Sequence, residues 1–367
     1  MAPTLPMAPG QAPAGALSDA EIAELQAEVR ALAAERRAVI LAHNYQVPEV
    51  QDVADYVGDS LGLSRRAAAS VDAETIVFCG VHFMAETASI LCPEKTVLIP
   101  DLDAGCSLAD SIDFDQLAAW RAEYPKGVVV MYVNTTAEVK ALTDYCCTSA
   151  NAVDVVRHIY DTHGPDTEIL FGPDMWLGAY VEKMVSPRAR RMHVWDGECH
   201  VHAGIRPADI AATRAAHPGA DFLIHPECGC TTSIMEYVAA GDVAAEGVHM
   251  LSTGGMLKYA EHAEGEAVGY ASPADGVEDA GAADGSAQPV RREAVVATEI
   301  GMLYPLRMAA PDVDFIPANA EASCRYMKMI TLPKLRDALR EMQFEVRVRE
   351  DVAVRARVPI DRMVALG

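Results

Sequence analysis

The sequence predicts an α/β fold built from three homologous units with parallel sheets. Short apolar runs alternate with helical patterns, as is typical of parallel strands covered by helices. A first-strand pattern occurs three times, as "AVILAHNYQ", "VVVMYVNTT" and "DFLIHPEC", and each copy ends in polar residues. A cysteine follows the third predicted strand of each copy. Because ligands of open α/β sheets gather at the carboxyl ends of strands, three such units around one axis would bring the three thiols together.

The elements follow in a regular order after a Pro/Ala/Gly-rich segment, residues 1–17, which we expect to be a disordered tail. A helix begins at Ser18, which forms a capping box with Glu21, and its apolar residues recur at helical spacing. The second predicted strands are "TIVFC", "EILFG" and "GVHML", and the third are "KTVLIP", "RMHVW" and "VDFIP". The predicted units span residues 18–115, 116–205 and 206–350, with a C-terminal tail at 351–367.

The spacing from each first strand to the following cysteine supports the repeat. From His43 to Cys106 is 63 residues, and from Tyr132 to Cys199 is 67. From His225 to Cys324 is 99, but residues 261–293 are rich in Gly, Ala and Asp and have little to bury. We therefore predict an acidic, disordered or loosely ordered insertion of 33 residues there, without which the third spacing becomes 66.

Composition excludes several classes of function. Acidic residues outnumber basic ones 53 to 30, and the net charge of −23 would repel a nucleic acid. No apolar run reaches the length of a membrane span and the first residues do not form a signal peptide, so we expect a cytoplasmic protein. Thiols stay reduced in that compartment, so the nine cysteines are expected to be buried or to bind metal.

Three thiolates would suit a zinc ion or an iron–sulfur cluster. None of Cys106, Cys199 and Cys324 belongs to a C-x-x-C pair, which a structural zinc site would usually show. A 4Fe-4S cluster normally takes four cysteines, so with three ligands one iron keeps an open position and can act as a Lewis acid.

The ordered set of motifs resembles the quinolinate synthase family, the A protein of de novo NAD biosynthesis. The resemblance covers about residues 38–350 and includes "HNYQ", "GDSL", "YVNTTAEVKA", "TSANAVDVV", "FGPD", "HPEC", "STGGM" and the three cysteines. It implies three domains in a triangle about a pseudo-threefold axis, with one 4Fe-4S cluster per chain held at the centre by Cys106, Cys199 and Cys324. It also implies that iminosuccinate condenses with dihydroxyacetone phosphate to give quinolinate. An iminosuccinate-producing enzyme would supply one substrate.

The resemblance further implies the residues that bind substrate. By motif they are His43, Ser60, Tyr132, Asn134, Ser149, His225, Glu227, Ser252 and Thr253. Such side chains can hydrogen-bond two carboxylates and a phosphate, although Ser60, Ser149 and Thr253 also suit helix N-caps. The reaction needs acid and base groups, and we assign these roles to Glu227 and Tyr45. His43 and His225 are expected to orient substrate or shuttle protons.

Other histidines and cysteines leave alternatives open. His200 and His202 follow Cys199, and on a strand both rings would point to one face, but we favour supporting roles because the cluster needs no further ligand. Cys228 and Cys230 are interpreted as bystanders, or at most as a redox-sensitive pair. Two rival functions are a zinc-dependent hydrolase or aldolase that uses His43, His225 and Cys228, and an iron–sulfur sensor.

Overall fold

The computed structural model of the chain describes residues 17–70, 72–186, 191–240, 247–263 and 292–366. Its strands are β1 Ala38–His43, β2 Tyr56–Gly58, β3 Thr75–Cys79, β4 Thr96–Leu98, β5 Val128–Tyr132, β6 Tyr145–Cys147, β7 Ile169–Gly172, β8 Met192–Val194, β9 Asp221–Ile224, β10 Val248–Met250, β11 Arg292–Ala297 and β12 Val313–Pro317. They form three parallel sheets with one shared strand order, β2-β1-β3-β4, β6-β5-β7-β8 and β10-β9-β11-β12. This architecture confirms the predicted α/β fold.

Helices connect and cover these strands. They are α1 Asp19–Glu35, α2 Pro48–Gln51, α3 Ser60–Ala69, α4 His82–Leu91, α5 Phe114–Glu123, α6 Ala137–Lys140, α7 Ala152–His163, α8 Met175–Val185, α9 His200–Ala203, α10 Pro207–Ala216, α11 Thr231–Ala240, α12 Thr253–Ala263, α13 Leu303–Ala309, α14 Leu332–Glu341 and α15 Glu350–Ala365. Among the described residues, no helix has both the length and the apolar composition needed to cross a bilayer.

The strands are nearly continuous apolar runs because each sheet is buried on both faces. Every residue of β3 is buried, as is every residue of β7. The polar residues that follow the predicted first strands lie at the carboxyl edges of the sheets. β1 ends at His43 and β5 ends at Tyr132. The central pairs of the three sheets, β1 with β3, β5 with β7 and β9 with β11, therefore present equivalent edges.

The prediction for the second strand of the third unit is wrong. The pattern "GVHML" contains β10, which lies at the sheet edge beside β9 and matches β2 and β6. The strand in the position of β3 and β7 is β11, which pairs with both β9 and β12. The long segment between α12 and β11 made this strand difficult to recognise as the second strand of the unit in the sequence. Residues 261–263 belong to α12 and residues 292–293 to β11, whereas residues 264–291 of the predicted insertion lie outside the described residues.

The prediction of a C-terminal tail at 351–367 is also wrong, because α15 occupies almost all of it. Its apolar residues recur at helical spacing, so Val352, Ala356 and Ile360 are buried against α4, α6 and β6. The preceding α14 packs on α1, and the Val346 amide donates to the Val97 carbonyl at 2.8 Å. The end of the chain therefore completes the first and second units rather than the third. Residues 1–16 of the predicted N-terminal tail lie outside the described residues.

Replacing Ile360 with alanine should lower the free energy of unfolding by about 2–5 kcal/mol, because the side chain is fully buried in this interface. Urea denaturation followed by circular dichroism measures the change. Val358→Ala, on the same helix and 50% exposed, should change it by less than about 0.5 kcal/mol. Equal effects of the two substitutions would mean that α15 does not pack as described.

Candidate active site

A cavity lies where the three units meet. Most of the predicted site residues line this cavity. They are His43, Tyr45, Ser60, Tyr132, Asn134, Ser149, His225, Glu227, Thr253, Cys106, Cys199 and Cys324. Ser252 is the exception among the predicted residues, because it lines a neighbouring cleft and its hydroxyl accepts from the Gly255 amide at 3.1 Å. Side chains that are far apart in the sequence thus line the same cavity.

The residues at the ends of β1 and β9, the equivalent strands of the first and third units, line the cavity in the same way. His43 ends β1, and its Nδ1 accepts from the Tyr45 amide at 3.2 Å. His225 follows β9, and its Nδ1 accepts more weakly, at 3.5 Å, from the Glu227 amide. In a neutral ring whose Nδ1 is an acceptor, Nε2 carries the proton. Both rings therefore present an N–H donor, and the Nε2 of His225 lies 3.1 Å from the Ser149 hydroxyl.

The two histidines are held neutral. Burial, reinforced by the nearby His225, lowers the pKa of His43 to about 3. Burial likewise lowers the pKa of His225 to about 3, although Glu227 opposes the change. At neutral pH these rings can donate hydrogen bonds to a ligand, but neither adds a positive charge.

This neutrality predicts a loss of stability in mild acid. The unfolded chain binds protons at these histidines below about pH 6.5 and the folded chain does not until about pH 3, so stability falls as the pH drops between these values. From pH 7 to pH 5 the metal-free protein should lose about 2 kcal/mol per histidine, measured by urea denaturation at each pH. His225→Gln should remove about one such contribution, and the exposed His163→Gln should not. An unchanged slope in His225→Gln would refute the neutral assignment.

Glu227 pairs with a histidine that motif reasoning placed only in a supporting role. Its Oε2 lies 3.1 Å from Nδ1 of His202, and its Oε1 accepts from the Tyr132 hydroxyl. Burial alone would raise the pKa of Glu227, but His202, His225 and the Tyr132 hydroxyl lower it to about 2. Burial alone would lower the pKa of His202, but Glu227 and Cys199 raise it well above its usual range. The pair is therefore a buried carboxylate beside an imidazolium.

Tyr45 lies next to this pair. Its hydroxyl is 2.6 Å from Thr298 Oγ1 and 3.2 Å from His202 Nε2. Burial, and then the negative Glu227, raise the pKa of Tyr45 well above its usual value, despite the hydrogen bond from Thr298. The phenol stays protonated at neutral pH and can donate a proton or a hydrogen bond into the cavity.

Residues at or near helix starts also line the cavity. Ser60 and Thr253 are the first residues of α3 and α12, and Ser149 lies just before α7. Helix N-termini carry partial positive charge and free amides, which favour anions. Asp59 caps α3 through the Gly62 amide at 2.8 Å, and Gly254 packs so close to it that a Cβ would lie 2.6 Å from Asp59 Oδ2.

The three predicted metal ligands occupy equivalent places, each in the loop after the fourth strand along its sheet. Cys106 follows β4, Cys199 follows β8 and Cys324 follows β12. Burial and the nearby Cys199 sulfur raise the pKa of Cys106. Backbone amides also face two of the sulfurs, those of Leu108 and Ala109 at Cys106 and of Tyr326 and Met327 at Cys324.

The three cysteines differ from the one compact group of candidate metal ligands. Among the described residues, one group of three candidate ligands has all its ligand atoms within 4.8 Å, namely Cys199, His202 and Glu227. The three cysteine sulfurs do not form such a group. A tetrahedral zinc ion with bonds of about 2.3 Å would need sulfurs only about 3.8 Å apart, whereas a cubane spans a larger triangle.

The zinc site of the rival function, formed by His43, His225 and Cys228, is not assembled. Cys228 is fully buried, does not line the cavity, and donates from Sγ to the Ala297 carbonyl at 3.1 Å. Cys230 is fully buried as well. The remaining cysteines, Cys79, Cys92, Cys146 and Cys147, are also buried, as expected for small apolar side chains.

Sequence reasoning missed several residues of the cavity. Glu299 lines the cavity and Thr298 contacts the lining residues Tyr45 and His202; both follow β11, whose place in the sheet was mispredicted. His200 and His202 lie on α9 rather than on a strand, and a rotation of about 100° per residue sends their rings to different sides. His202 is buried and His200 is exposed. Asp59 also lines the cavity, and its place in the "GDSL" motif could have identified it as a site residue.

The fold and the cavity are typical of an α/β enzyme, with a candidate active site at the strand ends of three similar sheets. A family model described as "Quinolinate synthetase A protein" matches residues 27–272 and 281–365. The quinolinate synthase of Mycobacterium tuberculosis strain H37Rv is 52% identical over 341 residues, which cover 93% of this chain and 88% of that protein. The chain therefore belongs to the quinolinate synthase family, whose members are enzymes of NAD biosynthesis.

Two further relatives agree. The quinolinate synthase of Mycolicibacterium paratuberculosis strain K-10 is 53% identical over 345 residues, covering 94% of this chain and 89% of the relative. That of Mycobacterium sp. strain KMS is 52% identical over 344 residues, covering 94% and 92%. The predicted family is confirmed.

Proposed function

We propose that the chain condenses iminosuccinate with dihydroxyacetone phosphate to give quinolinate, phosphate and water. The observation that carries this proposal is the single cavity in which three equivalent cysteines meet buried acid, base and hydrogen-bond donor groups. The cytoplasmic location and the supply of iminosuccinate by a separate enzyme belong to the same proposal. An imine that hydrolyses in water is best delivered by a source nearby.

The proposed cofactor is one 4Fe-4S cluster held by Cys106, Cys199 and Cys324. The soft sulfur ligands and the amides that face two of the sulfurs both suit an iron–sulfur cluster. When bound, such a cluster with one open iron site supplies a Lewis acid for substrate oxygens.

The substrates are held by neutral donors more than by cations. The Nε2–H groups of His43 and His225 and the amide of Asn134 can donate to carboxylates. The hydroxyls of Ser60, Ser149 and Thr253 stand at helix starts, which suit a phosphate. Many hydrogen bonds and helix dipoles would therefore replace an arginine cluster.

Proton transfer is assigned to the group around Glu227. Because its carboxylate is ionised and buried, Glu227 can remove the proton beside a carbonyl. His202 and Tyr45 are protonated at neutral pH, so they can donate protons to the hydroxyl groups that leave as water. Tyr132 orients Glu227 through its hydroxyl.

Metal and sulfide analysis after anaerobic purification tests the cofactor. We expect about four irons and four sulfides per chain, as a 4Fe-4S cluster requires, and a brown protein. One zinc per chain in a colourless protein would contradict the proposal. It would favour an ion at Cys199, His202 and Glu227, whose ligand atoms lie close enough for it.

A further inference from the structure

A buried ion pair lies between the predicted cluster ligand of the third unit and a substrate-facing loop of the first. Glu299 follows β11 and is fully buried. Its Oε1 accepts from the Cys324 amide at 3.0 Å, and its Oε2 accepts from the Gly301 amide at 2.7 Å. Lys328 Nζ lies 3.0 Å from Oε1 and 3.2 Å from Oε2. The carboxylate is thus fully partnered, and one partner is the backbone of Cys324.

Lys328 connects this carboxylate to the first unit. Its Nζ donates to the backbone carbonyl of Tyr45, and its own amide donates to the Cys324 carbonyl at 3.2 Å. Lys328 therefore contacts the Cys324 loop in two ways. Its side chain pairs with Glu299, which accepts from the Cys324 amide, and its own amide donates to the Cys324 carbonyl. The carbonyl of Tyr45 belongs to the residue whose hydroxyl lies between His202 and Thr298.

Gly301 leaves no room for a side chain beside the pair. A Cβ at this position would lie 2.7 Å from Glu299 Oε2, from Lys328 Nζ and from the Tyr45 carbonyl oxygen. Three groups from two units therefore converge on one point. A methyl group there would have to separate the charges or move the Tyr45 backbone.

We propose that the Glu299–Lys328 pair is a positioning device that sets Tyr45 and Cys324 at a fixed distance across the boundary between the first and third units. The inference depends on the proposed function, because it assigns Cys324 to the cluster and Tyr45 to proton transfer. A change at the pair moves both ends together, so it alters chemistry and cluster retention at once. Groups that support metal ligands commonly change metal affinity or activity by about 10- to 100-fold when replaced.

The test compares Lys328→Met and Lys328→Arg with wild-type holoenzyme prepared anaerobically. In Lys328→Met we expect kcat per cluster-loaded chain to fall by about 10- to 100-fold with KM changed by less than about threefold. We also expect a chelator to remove iron about 10-fold faster. Lys328→Arg, which keeps the charge, should recover most of both properties. Gly301→Ala keeps both charges and should reproduce the defects of Lys328→Met even if that variant folds poorly.

Two matched controls separate positioning from general destabilisation. Lys334→Met breaks a pair with Asp101 that lies outside the cavity, and Gly219→Ala places a methyl group where nothing lies within 4 Å. Both should keep wild-type kcat and iron loss. Wild-type kcat per loaded chain and wild-type iron loss in Lys328→Met or Gly301→Ala would overturn the inference while leaving the proposed function intact. Wild-type protein without cluster or quinolinate would remove both.

Discussion

Replacing any one of Cys106, Cys199 and Cys324 with serine is expected to abolish the cluster and to lower quinolinate formation by at least about 10³-fold. Each cysteine comes from a different unit, so each substitution removes the one proposed ligand that its unit contributes. Serine is a hard oxygen ligand and a poor substitute for a thiolate at iron. Iron and sulfide content, the visible spectrum and product formation measure the effect.

Cys228→Ser is the matched control for these variants. Cys228 is fully buried, yet its sulfur donates to the Ala297 carbonyl, a hydrogen bond that a serine hydroxyl can replace. It should keep both iron and sulfide. A variant at Cys106, Cys199 or Cys324 that retains a full cluster would show that the ligand set is wrong.

Replacing Glu227 with glutamine is expected to lower kcat by about 10²- to 10⁴-fold, the range typical for loss of a general base. The amide keeps the shape of the side chain but cannot accept a proton, and it leaves His202 without its carboxylate. The cluster should remain, because Glu227 is not among the three proposed ligands. Steady-state kinetics and iron content on the same sample measure the two effects separately.

Glu321→Gln controls for the removal of one negative charge near the site. Glu321 is exposed in the loop before Cys324, and its amide is held by Asn319 at 2.8 Å. Its kcat should stay within about twofold of the wild type, as for most exposed substitutions. If Glu227→Gln retained the wild-type kcat, Glu227 would not be the base.

The strand ends allowed most of the candidate site to be predicted from the sequence. Parallel strands are apolar until they leave the sheet, so the polar residues after "AVILA" and "DFLI" had to stand at one edge. His43, Tyr45, His225 and Glu227 meet in one cavity for that reason. The repeated spacing of the three cysteines likewise predicted that they would lie close to one place, and all three line this cavity.

The remaining features depend on contacts that a local pattern does not contain. β11 begins only after a long segment, so its position in the sheet and its terminal Thr298 and Glu299 could not be read from sequence order. His202 looked like a supporting group because its role is set by the distance to Glu227 across units. α15 is amphipathic, but only its packing on the first two units reveals that it is not a tail.

The most direct test of the account is quinolinate formation by cluster-loaded protein supplied with iminosuccinate and dihydroxyacetone phosphate under anaerobic conditions. Product is identified by mass and compared with the iron and sulfide content of the same sample. We predict quinolinate and inorganic phosphate in equal amounts, in proportion to the fraction of chains that carry the cluster. Cluster-replete protein that forms no quinolinate would contradict the account and favour an iron–sulfur sensor.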